Sequence, residues 1–438
     1  MSISSGVERS RFAAEERALP SAMWHVTAGA PVIAPPLLAD DRTEVLVIGG
    51  GFNGLSAALR LRELGVECLL VEAGEIGEGA SGRNAGMVNP GQFIGPNEIS
   101  RCLGPKHGEA FLSELGDAPN LVRQLIVDHG IDCHADYRPV IRAAHDLKAA
   151  QLLEQQAKSW AERGQPVEIL RGQELADLVG TDRWDVAMLD NRGFTIQPLA
   201  YARGLARAAV AAGANLHQYT RVTKLSRIDG RWLAFTGSGV KVEAKRVIMS
   251  TNAYTGTLHT AFAETLVTCG AFGLATMPLD IGVRSTVLPS GQALYDTHRI
   301  PLFLRYDPEG RLMIGSLGFL SDGVGGVEKW GRRVLKKIWG DLPDIGWSHA
   351  WQGTVGLTSH HLPHLLSPED GLIGTIGCNG RGIATNTYFG RMLADITMGK
   401  DRSWPLPVEK SAPRRIRSLQ RDGLDLAMRL YRNTVLLN

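Results

Sequence analysis

Residues Glu44–Gly86 read EVLVIGGGFNGLSAALRLRELGVECLLVEAGEIGEGASGRNAG, and they carry the clearest structural pattern of the sequence. Val45–Ile48 has the composition of a buried parallel strand, Phe52–Leu64 carries apolar residues at helical spacing, and VECLLVE is a second strand. The stretch therefore predicts a strand–helix–strand unit with glycine-rich turns.

The turn between the first strand and the helix has the spacing of a dinucleotide-binding loop. Gly49, Gly51 and Gly54 form G-x-G-x-x-G. In this pattern the first glycine makes the turn, the second admits a pyrophosphate and the third lets the helix pack on the strand. The phosphates then lie at the positive end of the helix dipole. Glu72 ends the second strand where an acid binds a ribose hydroxyl, which disfavours a 2′-phosphate and leaves NAD or FAD.

A second glycine cluster, GEGASGRNAG at Gly77–Gly86, favours FAD over NAD. A nicotinamide domain has no need of a small, polar loop at this point, whereas the ribityl chain and ring of a flavin extend past the pyrophosphate. Ser81, Arg83 and Asn84 can bond phosphate or ring heteroatoms, while the glycines permit close approach of the backbone.

These motifs resemble the D-amino-acid-oxidase-type superfamily of FAD oxidoreductases, in which such a loop commonly reads G-A-S-G-R-N-G/A-G. Within it, the chain is most similar to the γ-glutamylputrescine oxidase-like branch. Further segments similar to that branch are SAMWHVTAG, TNAYTGTL, FLRYDPEGRLMIGS, WQGTVGLTSHHLPHL and GCNGRGIATNTYFGRMLAD. The resemblance spans roughly Ser21 to Asp395.

The resemblance implies further contacts with the cofactor. The helix after Gly380-Arg381-Gly382 would point its N-terminus at the flavin N1–C2=O edge and stabilise the charge of reduced flavin. Non-covalent FAD is expected, because members that tether the flavin use a cysteine before the last strand and none lies between Ser348 and Thr375. The predicted cofactor residues are Gly49, Gly51, Phe52, Asn53, Gly54, Glu72, Ala73, Gly79, Ser81, Arg83, Asn84, Ala85, Gly86, Val222, Thr251, Asn252, Gly380, Arg381, Gly382 and Ile383.

Four residues are predicted on the substrate side. Arg305 matches an arginine that the family often places there, and it could bind a carboxylate or phosphonate. His360 and His361 would suit an anionic substrate or tune amine protonation if they face the flavin, and Trp351 would wall the site. The alternatives are a surface strand arginine, satisfied core histidines and a core tryptophan. Cys378 replaces the aromatic residue usual in relatives, which could widen the pocket.

The expected architecture is an α/β fold with an α+β substrate domain: a two-domain flavoprotein with a Rossmann-like FAD domain and a mostly antiparallel substrate sheet. Residues 107–180 are predicted to be mostly helical. The predicted divisions are a lead-in at 1–42, an FAD domain at 43–100, 181–256 and 346–400, a substrate domain at 101–180 and 257–345, and a helical tail at 401–438.

The implied reaction is oxidation of the C–N bond of a small amine or amino acid by hydride transfer to flavin N5. The imine hydrolyses to an aldehyde or oxo-acid plus ammonia or an amine, and O2 reoxidises the flavin to give H2O2. The substrate is expected to be anionic: an amino acid, a γ-glutamyl-amine or an aminophosphonate. The alternatives are a dehydrogenase that reduces a quinone or protein carrier, and a non-catalytic flavin-binding protein.

Bulk composition excludes several other classes. The net charge of +2 gives no electrostatic reason to expect nucleic-acid binding. The sequence has no apolar run of about 18 residues, so a membrane span is not predicted. The five cysteines are scattered without a CxxC pair, so neither a metal site nor a disulfide framework is expected, and a cytoplasmic location fits. The arginine-rich tail is expected to pack on its own protein or a second subunit. The sequence leaves the oligomeric state open.

Overall fold

Two large β-sheets and the helices around them make up the protein in the computed structural model, which describes residues 22–318, 323–400 and 402–411. The first part of the predicted lead-in and the arginine-rich helix candidate lie outside the described residues. The α-helices of the described residues are α1 (Met23–Thr27), α2 (Phe52–Glu63), α3 (Pro96–Asp128), α4 (Leu147–Ala161), α5 (Gly172–Val179), α6 (Pro198–Ala211), α7 (Thr260–Glu264), α8 (Ile281–Arg284), α9 (Gly323–Trp339) and α10 (Gly382–Thr397).

The strands follow the same chain order. They are β1 (Asp41–Ile48), β2 (Cys68–Val71), β3 (Met87–Val88), β4 (Val140–Ala143), β5 (Val167–Arg171), β6 (Val186–Asp190), β7 (Phe194–Thr195), β8 (Asn215–His217), β9 (Val222–Ile228), β10 (Arg231–Thr236), β11 (Lys241–Met249), β12 (Val267–Pro278), β13 (Leu294–Asp296), β14 (Phe303–Tyr306), β15 (Arg311–Leu317), β16 (Trp347–Leu357), β17 (His364–Glu369), β18 (Leu372–Ile376) and β19 (Val408–Glu409). Short 3₁₀ turns form at Ala80–Gly82 and Asn252–Tyr254.

The predicted strand–helix–strand unit forms at the start of the first sheet. Val45–Ile48 is fully buried at the end of β1, as a strand covered on both faces requires. Helix α2 begins at Phe52 and ends one residue before the predicted boundary, and Gly65 follows with a φ of +74°. The parallel partner β2 then runs beside β1. The local pattern of glycines and apolar residues is enough to specify this unit.

The first sheet has the strand order β19-β17-β18-β11-β1-β2-β8, with β10 and β9 added beside β11. Its centre is parallel: β1 pairs with β2 and β11, β2 with β8, and β11 with β18. Helices α2, α6 and α10 pack together on one face around Leu55, Tyr201 and Phe389. Parallel strands with covering helices are the arrangement expected of a dinucleotide-binding domain.

The second sheet has the order β16-β12-β15-β14-β13-β4-β6-β5 and is antiparallel except for the β13–β4 pair. Helix α9 covers part of one face, where the ring of Trp330 meets that of Phe272 at 5.0 Å between centroids. Residues 107–180 are mostly helical, as predicted, but the strands β4 and β5 also lie in this segment.

The two sheets confirm the predicted fold class, a Rossmann-like parallel sheet joined to a mostly antiparallel one. The domain boundaries themselves stay a prediction; β6 and β16 belong to the second sheet although they fall within ranges assigned to the FAD domain. Every helix within the described ranges is too short or too polar to span a bilayer.

Candidate active site

A large cavity of about 1970 Å³ is lined by residues from both sheets and from both glycine clusters. The predicted site residues that line it are Gly49, Gly51, Phe52, Asn53, Glu72, Ala73, Gly79, Ser81, Arg83, Asn84, Ala85, Val222, Thr251, Asn252, Trp351, His361, Gly380, Arg381, Gly382 and Ile383. The predicted residues that do not line it are Gly54, Gly86, Arg305 and His360.

The first glycine turn has no room for side chains. Gly49 has a φ of +112°, and a Cβ there would lie 2.9 Å from the carbonyl oxygen of Ser250. A Cβ on Gly54 would collide with the carbonyl oxygen of Gly49, which explains why this residue matters without lining the cavity. At Gly51 a Cβ would lie 2.8 Å from Oγ of Ser81. The three glycines therefore allow α2 to start directly at the cavity.

The start of α2 is suited to an anion. Its N-cap, Gly51, has no side chain that could accept from the first turn, and no acidic residue lies in that turn. The backbone N–H of Phe52 donates to Oγ of Ser81 at 3.1 Å. A helix N-terminus that opens onto a cavity offers N–H groups and a positive dipole end to phosphate.

Glu72 follows β2 and lines the cavity beside this turn. Its carboxylate accepts from the backbone N–H of Gly50 at 2.6 Å and from that of Gly74 at 2.9 Å. Burial raises the pKa of Glu72. A carboxylate offers about four lone-pair sites, so it can also accept from a ribose hydroxyl.

The side chains of the second glycine cluster brace their own loop. Nε of Arg83 donates to the carbonyl oxygen of Glu78 at 2.8 Å. Nδ2 of Asn84 donates to the carbonyl oxygen of Ser81 at 2.8 Å, and its Oδ1 accepts from the N–H of Gly86 at 2.8 Å. Contacts of these two side chains with a flavin stay a prediction, since their polar groups already hold the loop in shape.

Two asparagines connect the strand ends that surround the cavity. Nδ2 of Asn53 donates to Oγ1 of Thr375 at 3.0 Å, and its Oδ1 accepts from Oγ of Ser250 at 2.7 Å. Asn252 has a φ of +42° and accepts from the N–H of Gly377 at 3.3 Å. Both side chains thus fix the carboxyl ends of β11 and β18 relative to α2, where ligands bind in open α/β sheets.

A tight turn directs the start of α10 to the cavity. Gly377, Asn379 and Gly380 have φ values of +84°, +52° and +86°. Nδ2 of Asn379 donates to the carbonyl oxygen of Gly377 at 2.6 Å, while its Oδ1 accepts from the N–H of Thr358 at 2.8 Å. Helix α10 then begins at Gly382 with no side-chain cap. The helix N-terminus thus lies at the cavity, and its contact with a flavin ring stays a prediction.

Arg381, directly before α10, lies against two aromatic rings. Its guanidinium carbon is 4.5 Å from the ring centroid of Phe93 and 5.1 Å from that of Tyr295. Nη2 donates to the Tyr295 hydroxyl at 2.5 Å and Nη1 to the carbonyl oxygen of Pro90 at 3.1 Å. Its buried Nε has no acceptor within the described residues.

A second arginine, Arg142 on β4, joins this group and is absent from the predicted site. It lines the cavity, and its guanidinium carbon is 5.9 Å from the Tyr295 centroid. It donates to the carbonyl oxygen of Phe93 at 3.0 Å and to Oε1 of Gln156 at 2.8 Å. Burial lowers the pKa of Arg142, and the nearby Arg381 cation acts in the same direction. We call Arg142, Arg381, Tyr295 and Phe93 the arginine wall.

Arg305 lies elsewhere, which corrects its predicted place on the substrate side. It is 3% exposed and does not line the cavity. Its Nη1 donates to the carbonyl oxygens of Ala85, Gly86 and Ile196 at 3.2, 3.0 and 2.8 Å. Its Nε donates to the carbonyl oxygen of Tyr306 at 3.2 Å, so its hydrogen bonds go to backbone carbonyls and not to the cavity.

The remaining three predicted residues differ in position. Trp351 is buried, lines the cavity and donates from Nε1 to the carbonyl oxygen of Arg83 at 3.0 Å. His361 is exposed, has a φ of +57° and lines the cavity. His360 does not line it; its Nδ1 accepts from the N–H of Leu362 at 3.3 Å, and burial lowers its pKa.

The site fits FAD as a whole. Two uncapped helix starts, a buried carboxylate beside the first turn and a loop of small residues all open onto one cavity. A Cβ at Gly49, Gly51 or Gly54 would collide with neighbouring atoms, and glycine at these positions lets the backbone approach a dinucleotide.

Comparison with known proteins agrees with this geometry. The family described as DAO, FAD dependent oxidoreductase, matches residues 44–396. A probable oxidoreductase OrdL of Rhizobium meliloti (strain 1021) is 27% identical over 385 residues, which cover 87% of this chain and 89% of that protein. Gamma-glutamylputrescine oxidoreductase of Escherichia coli (strain K12) is 28% identical over 363 residues, covering 81% and 84%.

Among solved structures, glycine oxidase from Geobacillus kaustophilus superposes with a TM-score of 0.69 at 22% identity, over 86% of this chain and 100% of that one. At this identity the likeness concerns the fold. Together with the family match over residues 44–396, it places the two sheets in a known arrangement. The chain therefore belongs to the DAO family of FAD-dependent oxidoreductases.

Proposed function

We propose that the protein oxidises the C–N bond of a small anionic amine or amino acid. Relatives named gamma-glutamylputrescine oxidoreductase and glycine oxidase support an amine as substrate. Bound FAD supplies the acceptor for the two electrons removed from the amine. The resulting imine takes up water and yields an aldehyde or oxo-acid together with ammonia or an amine.

The arginine wall is the observation that carries an anionic substrate. Arg142 and Arg381 both line the cavity, and neither forms an ion pair with any carboxylate of the described residues. The ionisable neighbours that act on Arg142 are Tyr295 and Arg381, and the second of these is itself a cation. Arg381 is buried and Arg142 half-buried, and two like charges in one partly desolvated wall are unfavourable unless an anion joins them. A carboxylate or phosphonate would satisfy both, with the planar guanidinium forks suited to bind it.

The acidic residue next to Tyr295 in the sequence does not supply the anion for the arginine wall. Asp296 follows Tyr295 on β13, so its side chain points to the opposite face of the strand. Its carboxylate accepts from Nδ1 of His298 at 2.8 Å and from the N–H of Leu302 at 3.0 Å. Asp296 also lines the cavity, but its carboxylate bonds His298 and Leu302 and forms no ion pair with Arg142 or Arg381 among the described residues.

The wall lies close to the start of α10. Arg381 directly precedes Gly382, the first residue of that helix. An anion on the wall would thus occupy the same part of the cavity as the helix N-terminus, where the resemblance expects the flavin ring. The anionic group would orient the substrate, and the amine-bearing carbon would be placed by its attachment to that group.

An anaerobic reduction screen tests the proposal. FAD-loaded protein is mixed without oxygen with amines paired by skeleton and differing in charge, such as glycine with glycinamide and 2-aminoethylphosphonate with ethanolamine. Putrescine and γ-glutamylputrescine form a third pair. We expect the anionic member of at least one pair to remove the yellow colour and its partner to leave it. Bleaching by neutral or polycationic amines alone would contradict the anionic substrate.

We further propose that oxygen is the electron acceptor. After anaerobic reduction, admission of air should restore the oxidised spectrum within seconds and generate hydrogen peroxide. Slow return in air with rapid return on addition of a quinone would instead identify a dehydrogenase. If no amine bleaches the flavin, a non-catalytic flavin-binding role replaces both.

A further inference from the structure

Four consecutive carbonyl oxygens of the loop Arg83–Gly86 are held by buried side-chain donors. Nε1 of Trp351 donates to the oxygen of Arg83 at 3.0 Å, and Nε1 of Trp24 donates to that of Asn84 at 2.9 Å. Arg305 donates to the carbonyl oxygens of Ala85 and Gly86, as described above. These three donors come from β16, α1 and β14, which are far apart in the chain. Such convergence on one short loop exceeds what closing a surface turn requires.

The backbone N–H groups of the same loop, unlike its carbonyl oxygens, are not all paired. The N–H groups of Asn84 and Ala85 have no acceptor within the described residues, whereas that of Gly86 donates to Oδ1 of Asn84. Arg83, Asn84 and Ala85 all line the cavity. Both residues are half-buried, so two adjacent backbone donors without a protein acceptor at the cavity wall are available to an acceptor on a ligand. Bound FAD carries carbonyl oxygens and ring nitrogens that can accept them.

Arg305 brings a positive charge to the underside of this loop. Its guanidinium is fully enclosed, and burial lowers its pKa to about 10, so it stays protonated at neutral pH. The two acids that act on it are engaged with other arginines, Asp136 with Arg138 and Asp307 with Arg311. A Cβ on Gly86 would collide with Nη1 of Arg305, so glycine there permits the approach.

We propose that Trp24, Trp351 and Arg305 form a carbonyl clamp on the loop Arg83–Gly86, and that the charge of Arg305 makes the bound flavin easier to reduce. Trp351 and Trp24 hold the two peptide units that present the Asn84 and Ala85 N–H groups to FAD, and Arg305 holds the two peptide units that follow. A clamp on the carbonyls turns the amide edge of the loop toward the cavity, and a nearby cation favours the more negative, reduced cofactor. Arg305 is then a positioning residue, and α1, in the lead-in, is part of the cofactor site. This inference rests on FAD binding and not on the proposed substrate.

The test uses FAD alone, without any amine. Arg305→Met, Arg305→Lys and Trp24→Phe are compared for FAD dissociation constant, by titration of apoprotein, and for midpoint potential, by equilibration with redox dyes. A midpoint potential reports the ratio of affinities for reduced and oxidised flavin. We expect Arg305→Met to lower that ratio by about tenfold or more, since it removes a buried charge. Arg305→Lys should keep most of the ratio while binding FAD more weakly.

Trp24→Phe separates positioning from charge. It removes one N–H donor but keeps an aromatic ring, so FAD should bind roughly 3- to 10-fold more weakly with the affinity ratio unchanged. Arg203→Met is the matched control: Arg203 is another buried arginine that donates to a backbone carbonyl, that of Gly29 at 2.6 Å, away from the loop. The Arg203→Met protein should be less stable than wild type, with an unchanged FAD dissociation constant and an unchanged midpoint potential.

Two results would overturn the clamp. The first is an Arg305→Met protein that binds FAD with the wild-type dissociation constant and affinity ratio, or whose shifts are matched by Arg203→Met. The second result applies if Arg305→Met fails to fold. Wild-type FAD binding by both Arg305→Lys and Trp24→Phe would then show that the three donors serve stability alone.

Discussion

Arg142 on β4 and Tyr295 on β13 occupy paired positions where these two strands run parallel, with the guanidinium carbon 5.9 Å from the tyrosine ring centroid. Paired residues of neighbouring strands project from the same face of a sheet, so the register itself holds the cation against the ring. Arg381 reaches the same tyrosine from the turn before α10. One tyrosine thus joins two cations from different parts of the fold at a single cavity wall.

Replacing Arg142 by glutamine should weaken binding of an anionic amine by about 10- to 100-fold, the effect of losing a charged hydrogen bond of roughly 1.5–3 kcal/mol. The limiting rate of flavin reduction should fall less, because the change removes a binding contact and leaves the cofactor site intact. Anaerobic stopped-flow reduction at increasing amine concentration separates the two quantities.

Arg203→Gln is the control for that experiment, since it removes a buried arginine away from the cavity. It should leave the apparent dissociation constant of the amine within about twofold of wild type, as expected when no contact with the ligand is lost. Equal weakening by Arg142→Gln and Arg203→Gln would show that Arg142 acts only through general stability.

Replacing Gly54 by alanine should destabilise the protein by about 1–3 kcal/mol, because the new Cβ would collide with the carbonyl oxygen of Gly49 in a packed interface. Urea unfolding of the apoprotein measures the change. Gly282→Ala on α8 is the matched control, since a Cβ there meets nothing within 4 Å. Similar stability of the two variants would refute the account of the first glycine turn.

Glu72→Gln should change how the stability of the apoprotein depends on pH. Burial raises the pKa of Glu72 in the folded protein above its ordinary value of 4.5. The contribution of protonated Glu72 to the free energy of unfolding is therefore complete below that value and is lost as pH rises through the folded-state pKa. The amide cannot ionise and lacks this loss. The stability of the variant relative to wild type should therefore rise between about pH 4 and pH 7.

Urea unfolding of both apoproteins at the two pH values gives this difference, because titrating groups that do not interact with Glu72 cancel between wild type and variant. A difference in unfolding free energy that stays constant with pH would contradict the assigned environment of Glu72. The same variant should also bind FAD more weakly, since an amide offers fewer acceptor sites for ribose hydroxyls than a carboxylate.

The flavin should be released when the protein is denatured. No cysteine lies between Ser348 and Thr375, and Cys378, which lines the cavity, accepts a hydrogen bond from Nδ2 of Asn252 at 3.4 Å. Acid precipitation should leave all yellow colour in the supernatant, for both wild type and Cys378→Ser. Colour retained in the wild-type pellet and freed in the variant would identify Cys378 as a covalent attachment point.

The first sheet and its cofactor loop could be predicted because their signals are local. Glycine spacing, helical periodicity and the closing Glu72 all fall within Glu44–Gly86, and β1, α2 and β2 form there. The start of α10 was likewise predictable from a short motif. In each case the residues that specify the element are the residues that contact its neighbours.

The arginine wall could not be predicted in this way, because it depends on pairing between distant strands. Arg142 and Tyr295 are brought together by the β4–β13 register, and β4 has only four residues in a segment that otherwise favours helix. The run Val140-Ile141 before Arg142 was the available signal of a strand. Arg305 shows the reverse case: its strand was predicted, but Arg305 contacts the glycine loop instead of the cavity.

Recognition of an anionic amine can be measured by mixing FAD-loaded protein under anaerobic conditions with one amine in two forms, the free acid and its neutral amide. Of the acids in the screen, the one that best reduces the flavin is chosen, and the flavin spectrum is followed at each concentration. The account predicts that the acid reaches half of the limiting rate of flavin reduction at a concentration at least about tenfold lower than the amide does. A half-saturating concentration of the amide equal to or lower than that of the acid would contradict recognition of an anionic amine by Arg142 and Arg381.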